Sequence, residues 1–189
     1  ARRFSDEHQW SVKDMIKEIM LSSTYQLNST PNPKYLDSDP NNFLLHRQNI
    51  RRLQGEAIRD NIIAVSGRLD KKMYGPSMPV YLTPFMTGRG RPKTGPLDGA
   101  GRRSIYISVR RNFIAPLMLA FDAPVPFNSI GRRNVSNVPS QALILMNDPF
   151  VIEQSQVWAK RLSTNDKQTP ADRIDQMIRE AFGRPATET

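Results

Sequence analysis

The sequence predicts a mainly α fold, a compact helical domain with a minor short β element and a long Pro/Gly-rich loop. Three observations predict it. Apolar residues recur at helical spacing in four separate stretches; several stretches open on a capping residue or a proline; and one short run alternates with the period of a strand. A chain of 189 residues with 38% hydrophobic and 24% charged positions supplies one core of ordinary size, so residues 1–189 read as a single domain. Fifteen prolines set against ten glycines imply short elements and exclude a long coiled coil. The chain opens on Ala1-Arg2-Arg3-Phe4 rather than on Met, in what reads as the last turn of an earlier helix, which predicts a fragment of a larger protein.

The first helix is predicted from Ser11 to about Tyr25. Ser11 is its N-cap with Asp14 three positions on, Trp10 can staple onto Met15, and Val12, Met15, Ile16, Ile19 and Met20 form a stripe expected to face the core. Residues 26–42 hold three prolines and many turn formers and read as a loop held to the surface by Tyr35 and Leu36, followed by the short apolar run Phe43-Leu44-Leu45. A second helix is predicted over about 51–65, with Leu53, Ala57, Ile58, Ile62 and Val65 inward and Gly67 at the left-handed C-cap. Residues 70–102 have no sustained period and form the long irregular loop. Arg103 to Val109 is the one predicted strand, and its alternation puts Tyr106 and Arg110 on a shared polar face. Pro116, Pro139, Pro149 behind the cap Asp148, and Pro170 behind Thr169 each start a helix, the last ending at Gly183.

Charge is concentrated in the middle of the chain. Residues 85–134 carry nine basic side chains and two acidic ones, +7 of the formal net +9, while both flanks are nearly balanced. Nineteen of the 27 cations are arginine, the side chain suited to forked contacts with carboxylate or phosphate and to buried ion pairs. The doublets Arg51-Arg52, Arg102-Arg103, Arg110-Arg111 and Arg132-Arg133 either form an anion site or pair with the carboxylates of the second helix and Asp122. Gly88-Arg89-Gly90-Arg91-Pro92-Lys93 is similar to the core of an AT-hook, in which Arg89, Gly90 and Arg91 would enter the minor groove of A·T-rich DNA.

Several chemistries are excluded by residue type. With no cysteine there is no disulfide, thiolate metal site or covalent haem attachment, and two distant histidines, His8 and His46, leave no basis for a metal centre. His46 reads as a structural histidine. No Gly-x-Ser-x-Gly elbow or phosphate-cradling glycine loop is present, and no stretch is apolar enough to span a membrane. The acids that could work as an acid–base pair on one helix face are Glu56 and Asp60.

Six strings then occur in a characteristic order: Leu21-Ser-Ser-Thr-Tyr-Gln, Arg51-Arg-Leu-Gln-Gly-Glu-Ala-Ile-Arg-Asp, Ala64-Val-Ser-Gly-Arg-Leu, Arg102-Arg-Ser-Ile-Tyr, Phe121-Asp-Ala-Pro and Val138-Pro-Ser-Gln-Ala-Leu-Ile-Leu-Met-Asn-Asp-Pro-Phe-Val. In this order they resemble the planctomycete-type domain of unknown function, the PSD family found in planctomycete cytochrome C proteins, and in particular its C-terminal part. The resemblance runs from about Trp10 to Thr187. It implies an exported setting, periplasmic or extracellular, with a signal peptide and any haem c lying elsewhere in the full-length protein and no cofactor in this chain. It also implies a shared polar network at Arg52, Glu56, Arg59, Asp60, Arg102, Arg103, Asp122, Pro139, Gln141 and Asn147. Of these, Arg52, Arg59, Arg102, Arg103, Asp122, Gln141 and Asn147, together with Tyr106 and Arg110 from the predicted strand, are the candidate binding residues. The expected function is a module that binds an anionic ligand, a polysaccharide or a protein partner through its Arg-rich middle. A carbohydrate-active enzyme using Glu56 or Asp60 is the alternative, and nucleic-acid binding through 88–93 is disfavoured by an extracytoplasmic setting.

Overall fold

A computed structural model describes residues 1–127, 129–164 and 168–187, and the chain is mainly helical as expected. It divides into two compact units, residues 1–52 and 53–189.

In the first unit a π-helical turn, Arg3–Glu7, precedes α1, Val12–Leu21. Ser11 caps α1 as its sequence position requires, its hydroxyl accepting the Asp14 N–H at 3.3 Å. Trp10 meets Phe4 edge-on, with ring centroids 5.3 Å apart. Within the first unit the stripe expected to face the core finds none: Ile16 and Ile19 are each 51% accessible and Met15 is half-buried. Helical spacing identifies an amphipathic face, but only a packed neighbour makes it a core. A short helix, α2, Pro33–Leu36, is capped by Asn32. Beyond it an exposed turn is organised by two buried polar side chains: Asp39, whose carboxylate accepts the N–H groups of Phe43 and Leu44 at 2.8 Å each, and Asn42, whose side-chain amide donates to the Arg47 carbonyl. Against this turn, His46 Nε2 lies 2.7 Å from an Arg47 guanidinium nitrogen.

The second unit is built on α3, Gly55–Ser66, which ends at Gly67 with φ 84°. Behind it come α4, Pro116–Ala120; α5, Pro139–Asn147; α6, Pro149–Ser163; and α7, Pro170–Phe182. All four open on proline, whose fixed φ fits the first helical turn and whose missing N–H has no helical partner there anyway. Ile63, Leu117, Phe121 and Phe150 form the main core, bringing α3, α4 and α6 together. A second buried cluster, Val80, Leu82 and Phe113, lies under the long irregular segment. The Glu180 carboxylate ties α7 to α6, accepting from Trp158 Nε1 at 2.7 Å and pairing with Arg161. Among the described residues no helix is long and apolar enough to cross a membrane.

The predicted strand is the main correction. Ser104–Tyr106 is a 3-10 turn, and the only β pairing among the described residues is three isolated bridges: Asp70 with Arg102, Met78 with Ile107, and Arg110 with Phe113. The cause is Asp60, which accepts both the N–H and the hydroxyl of Ser104 at 2.7 Å and so draws the backbone onto α3. Alternation is lost with the strand. Ile105 and Val109 are 78% and 75% exposed, while Ile107, in register with both, packs on the second cluster. The shared polar face of Tyr106 and Arg110 therefore does not form.

Candidate functional site

One side of α3 projects Glu56, Arg59 and Asp60, and their surroundings give them different roles. Arg59 is buried. Its guanidinium donates to the Arg102 carbonyl at 3.0 Å, the Ser104 hydroxyl at 3.2 Å and the Asp98 carbonyl at 2.7 Å, and it lies over the Phe150 ring. Burial pulls its pKa below the ordinary arginine value, opposed by the charges of Asp60 and Asp98. Arginine stays protonated even so, and three oxygens satisfy most of its fork. The side chain fastens α3 to residues 98–104.

Asp60 is half-buried, and besides Ser104 it has Arg59 at 3.5 Å and Arg103 at 3.8 Å. Glu56 takes a two-pronged contact from Arg133, at 2.8 and 2.9 Å, and Arg133 also donates to the Gln54 side chain at 3.1 Å. The hydrogen bonds from Arg133 hold the Glu56 carboxyl below its ordinary range against a desolvation cost that would raise it. An acid catalyst needs the opposite shift, because it must keep its proton near neutral pH. As arranged here, Glu56 is an ionised anchor for Arg133.

Arg102 and Tyr106 do come together, by stacking rather than by sharing a strand face. The Arg102 guanidinium sits 3.9 Å over the Tyr106 ring and donates to the carbonyls of Lys72 and Tyr74, while the Tyr106 hydroxyl accepts the Tyr74 N–H at 2.7 Å. Both side chains are occupied in holding residues 70–74. A third group, Asp122, Ser136 and Gln141, ties the segment after α4 to the start of α5. Asp122 accepts from the Ser136 N–H at 2.7 Å, and buried Gln141 donates to the Ala120 carbonyl at 2.8 Å. Asn147 lies apart, its amide bonded to the Leu143 carbonyl one turn back. Arg52 is half-buried at the end of the first unit, and Arg89, Gly90 and Arg91 are exposed on the irregular loop.

Above these anchors lies an open cleft of about 800 Å³ within the second unit, bounded by α3, residues 79–81 and residues 103–115. Glu56, Asp60, Arg103, Arg110 and Arg133 supply its polar lining; Val80, Ile105, Ile107, Val109 and Phe113 supply an apolar one. The rim is net positive, since Glu56 is matched by Arg133, Asp60 is shared by Arg59 and Arg103, and exposed Arg110 has no ion-pair partner among the described residues. Sequence reasoning missed Ser104 as the hinge of this arrangement and the apolar lining from Ile105 and Val109. A serine between an arginine and an isoleucine carries no local signal of a contact 44 residues away. Among the described residues no three His, Asp or Glu side chains converge to hold a metal ion.

A family model, PSD1, protein of unknown function (DUF1553), matches residues 1–189, and the chain belongs to that family. No curated protein and no solved structure matches it.

Proposed function

Taking that membership as the premise, we propose that the second unit is a binding module whose cleft receives an acidic, apolar-anchored segment of a protein partner. The observation that carries this reading is the juxtaposition in one open cleft of exposed aliphatic side chains, Ile105 and Val109, with a net-positive rim of Arg103, Arg110 and Arg133. A partner surface complementary to it has aliphatic anchors flanked by carboxylates. An enzyme reading would make Glu56 or Asp60 the acid or base. The grip of Arg133 on Glu56 and of Ser104 on Asp60 favours a binding role for both. We further propose the exported, cytochrome-associated setting for the full-length protein. Its support is the ordered set of family motifs, and export would place the partner outside the cytoplasm.

The experiment is a binding titration of the purified domain against three probes: peptides pairing Glu with Leu or Ile, the same peptides with Ser for the aliphatic residues, and polyuronate oligosaccharides. The acidic-aliphatic peptides are expected to bind and to lose about tenfold in affinity on Arg110→Ala, equivalent to about 1.4 kcal/mol. Binding of the polyuronate alone would replace the protein partner by a polysaccharide. Release of reducing ends from it, abolished by Glu56→Gln, would establish the enzyme instead.

A further inference from the structure

A second surface lies on the irregular loop, outside the polar rim of the cleft. The neck of residues 80–95 is closed by two hydrogen bonds: Gly95 N–H to the Val80 carbonyl at 2.9 Å, and Leu82 N–H to the Thr94 hydroxyl at 3.0 Å. Gly95 is required there, because a Cβ would stand 2.0 Å from the Pro79 carbonyl oxygen. Inside the neck, Met86 packs on Val80, Leu82 and Phe113. Its neighbour Phe85 is turned the other way and is 92% exposed, the most exposed large apolar side chain among the described residues. A larger apolar group is held in water while the smaller one beside it is packed inward.

Arg89, Arg91 and Lys93 follow on the same loop, all exposed, and none has an ion-pair partner among the described residues. No acidic residue occurs between positions 71 and 97. The two acids that flank this stretch are committed elsewhere, Asp70 facing Arg102 and buried Asp98 facing Arg68. The loop thus presents one phenyl ring and three cations with no compensating charge of its own.

Three kinds of polyanion offer negative charge to such a loop, and they differ in what they offer the phenyl ring. A polysaccharide supplies charge but no apolar interior, and a DNA duplex takes in a ring only by unstacking a base step, at a cost of a few kcal/mol. An AT-hook also needs an extended Arg-Gly-Arg, whereas here Arg89 and Gly90 form a turn, with Gly90 at φ 75°. An anionic bilayer supplies both parts: phosphates at its surface for the guanidinium and ammonium groups, and an interface beneath that takes an aromatic ring. We propose that the 80–95 loop docks this domain on an anionic lipid surface, with Phe85 in the interface and Arg89, Arg91 and Lys93 on the headgroup phosphates. The attachment is peripheral and reversible. Each surface cation contributes roughly fivefold in partitioning, and a single ring adds a second, modest signal. The proposal stands on different residues from the peptide cleft and survives or fails independently of it.

The test is co-sedimentation of the purified chain with vesicles of phosphatidylcholine alone and of phosphatidylcholine with phosphatidylglycerol, across a salt series. Sedimentation is expected with the anionic vesicles only, declining as salt rises. A variant carrying Arg89→Ser, Arg91→Ser and Lys93→Ser is expected to lose partitioning on the order of a hundredfold. Phe85→Ser is expected to lose roughly tenfold while keeping the salt dependence. The salt series on the unaltered protein reports the electrostatic part even if the triple variant does not fold. Equal sedimentation with both vesicle types overturns the proposal. So does binding that Phe85→Ser leaves unchanged, or binding to duplex DNA or polyuronate through these residues with none to vesicles.

Discussion

Arginines 59 and 102 and arginines 89 and 91 have the same side chain and opposite fates. The first pair is buried; its hydrogen bonds run to backbone carbonyls and to Ser104, with Asp60 and Asp70 as the respective charge partners. The second pair stands in water on a loop without acids. What separates them is reach. Residues 98–104 fold back within reach of Arg59 on α3, and residues 72–74 within reach of Arg102, and they leave carbonyls facing the two guanidiniums, where arginine can satisfy several at once. At 84–92 the chain turns outward and offers no such oxygens. Arginine count therefore measures neither binding capacity nor structural pairing until the backbone around each residue is known.

That contrast can be broken most sharply at Arg59. Arg59→Met keeps most of the volume but leaves the Asp98 and Arg102 carbonyls without their side-chain donor and removes one charge partner of Asp60. The expected cost is about 3 kcal/mol, a fall on the order of 10 °C in Tm by calorimetry. A loss under about 1 kcal/mol would show that water replaces the guanidinium and that the fastener role is mistaken. Next is Ser104→Ala, which removes one hydroxyl shared between Asp60 and Arg59 and should cost about 1–2 kcal/mol in urea unfolding.

Glu56→Gln addresses a pair that is about one-third exposed on both sides, so solvent screening limits its stability cost to about 1 kcal/mol or less. Its signature is in the pH dependence. The carboxyl is held below its ordinary value of 4.5 in the folded state, so its contribution is complete above that pH and is lost as pH falls below it, through the lowered folded value. Stability of the unaltered protein should drop over that acidic window, and the variant should show a shallower drop. Curves that superimpose would mean that Arg133 gives Glu56 no net stabilisation. Smallest of all is Arg89→Ser with Arg91→Ser, expected to change stability by less than about 0.5 kcal/mol. A larger loss would reveal that these two arginines hold the loop after all.

The capped helix ends were legible because they are short-range chemistry, whereas α1 stops at Leu21 rather than near Tyr25 and α3, without a side-chain cap, starts at Gly55 rather than near Arg51. Ser11 with the Asp14 N–H, Asp148 with the Phe150 N–H, Thr169 with Asp172, and the left-handed Gly67 and Gly183 each involve atoms within a few residues. Pairing between arginine doublets and the α3 carboxylates was legible as a class, and Arg133 with Glu56 and Arg103 with Asp60 are its members. Which doublet meets which acid was not, since the loops between them set the geometry. The run 103–109 shows the limit most plainly. Its β-branched and aromatic alternation is real, yet Asp60 offers Ser104 two hydrogen bonds that no neighbouring strand competes for.

By itself, then, the sequence determined the mainly helical architecture, the capped helix ends, the positive middle and the family. Those follow from local hydrogen bonding, periodicity and motif order. Tertiary structure alone decided which arginines became fasteners, that residues 104–106 became a 3-10 turn rather than part of a strand, and that the α1 stripe found no core within its own unit. The reason is physical: burial of a charge, an apolar face or a backbone amide depends on what another part of the chain brings within about 3 to 4 Å of it, and local pattern does not encode that distance.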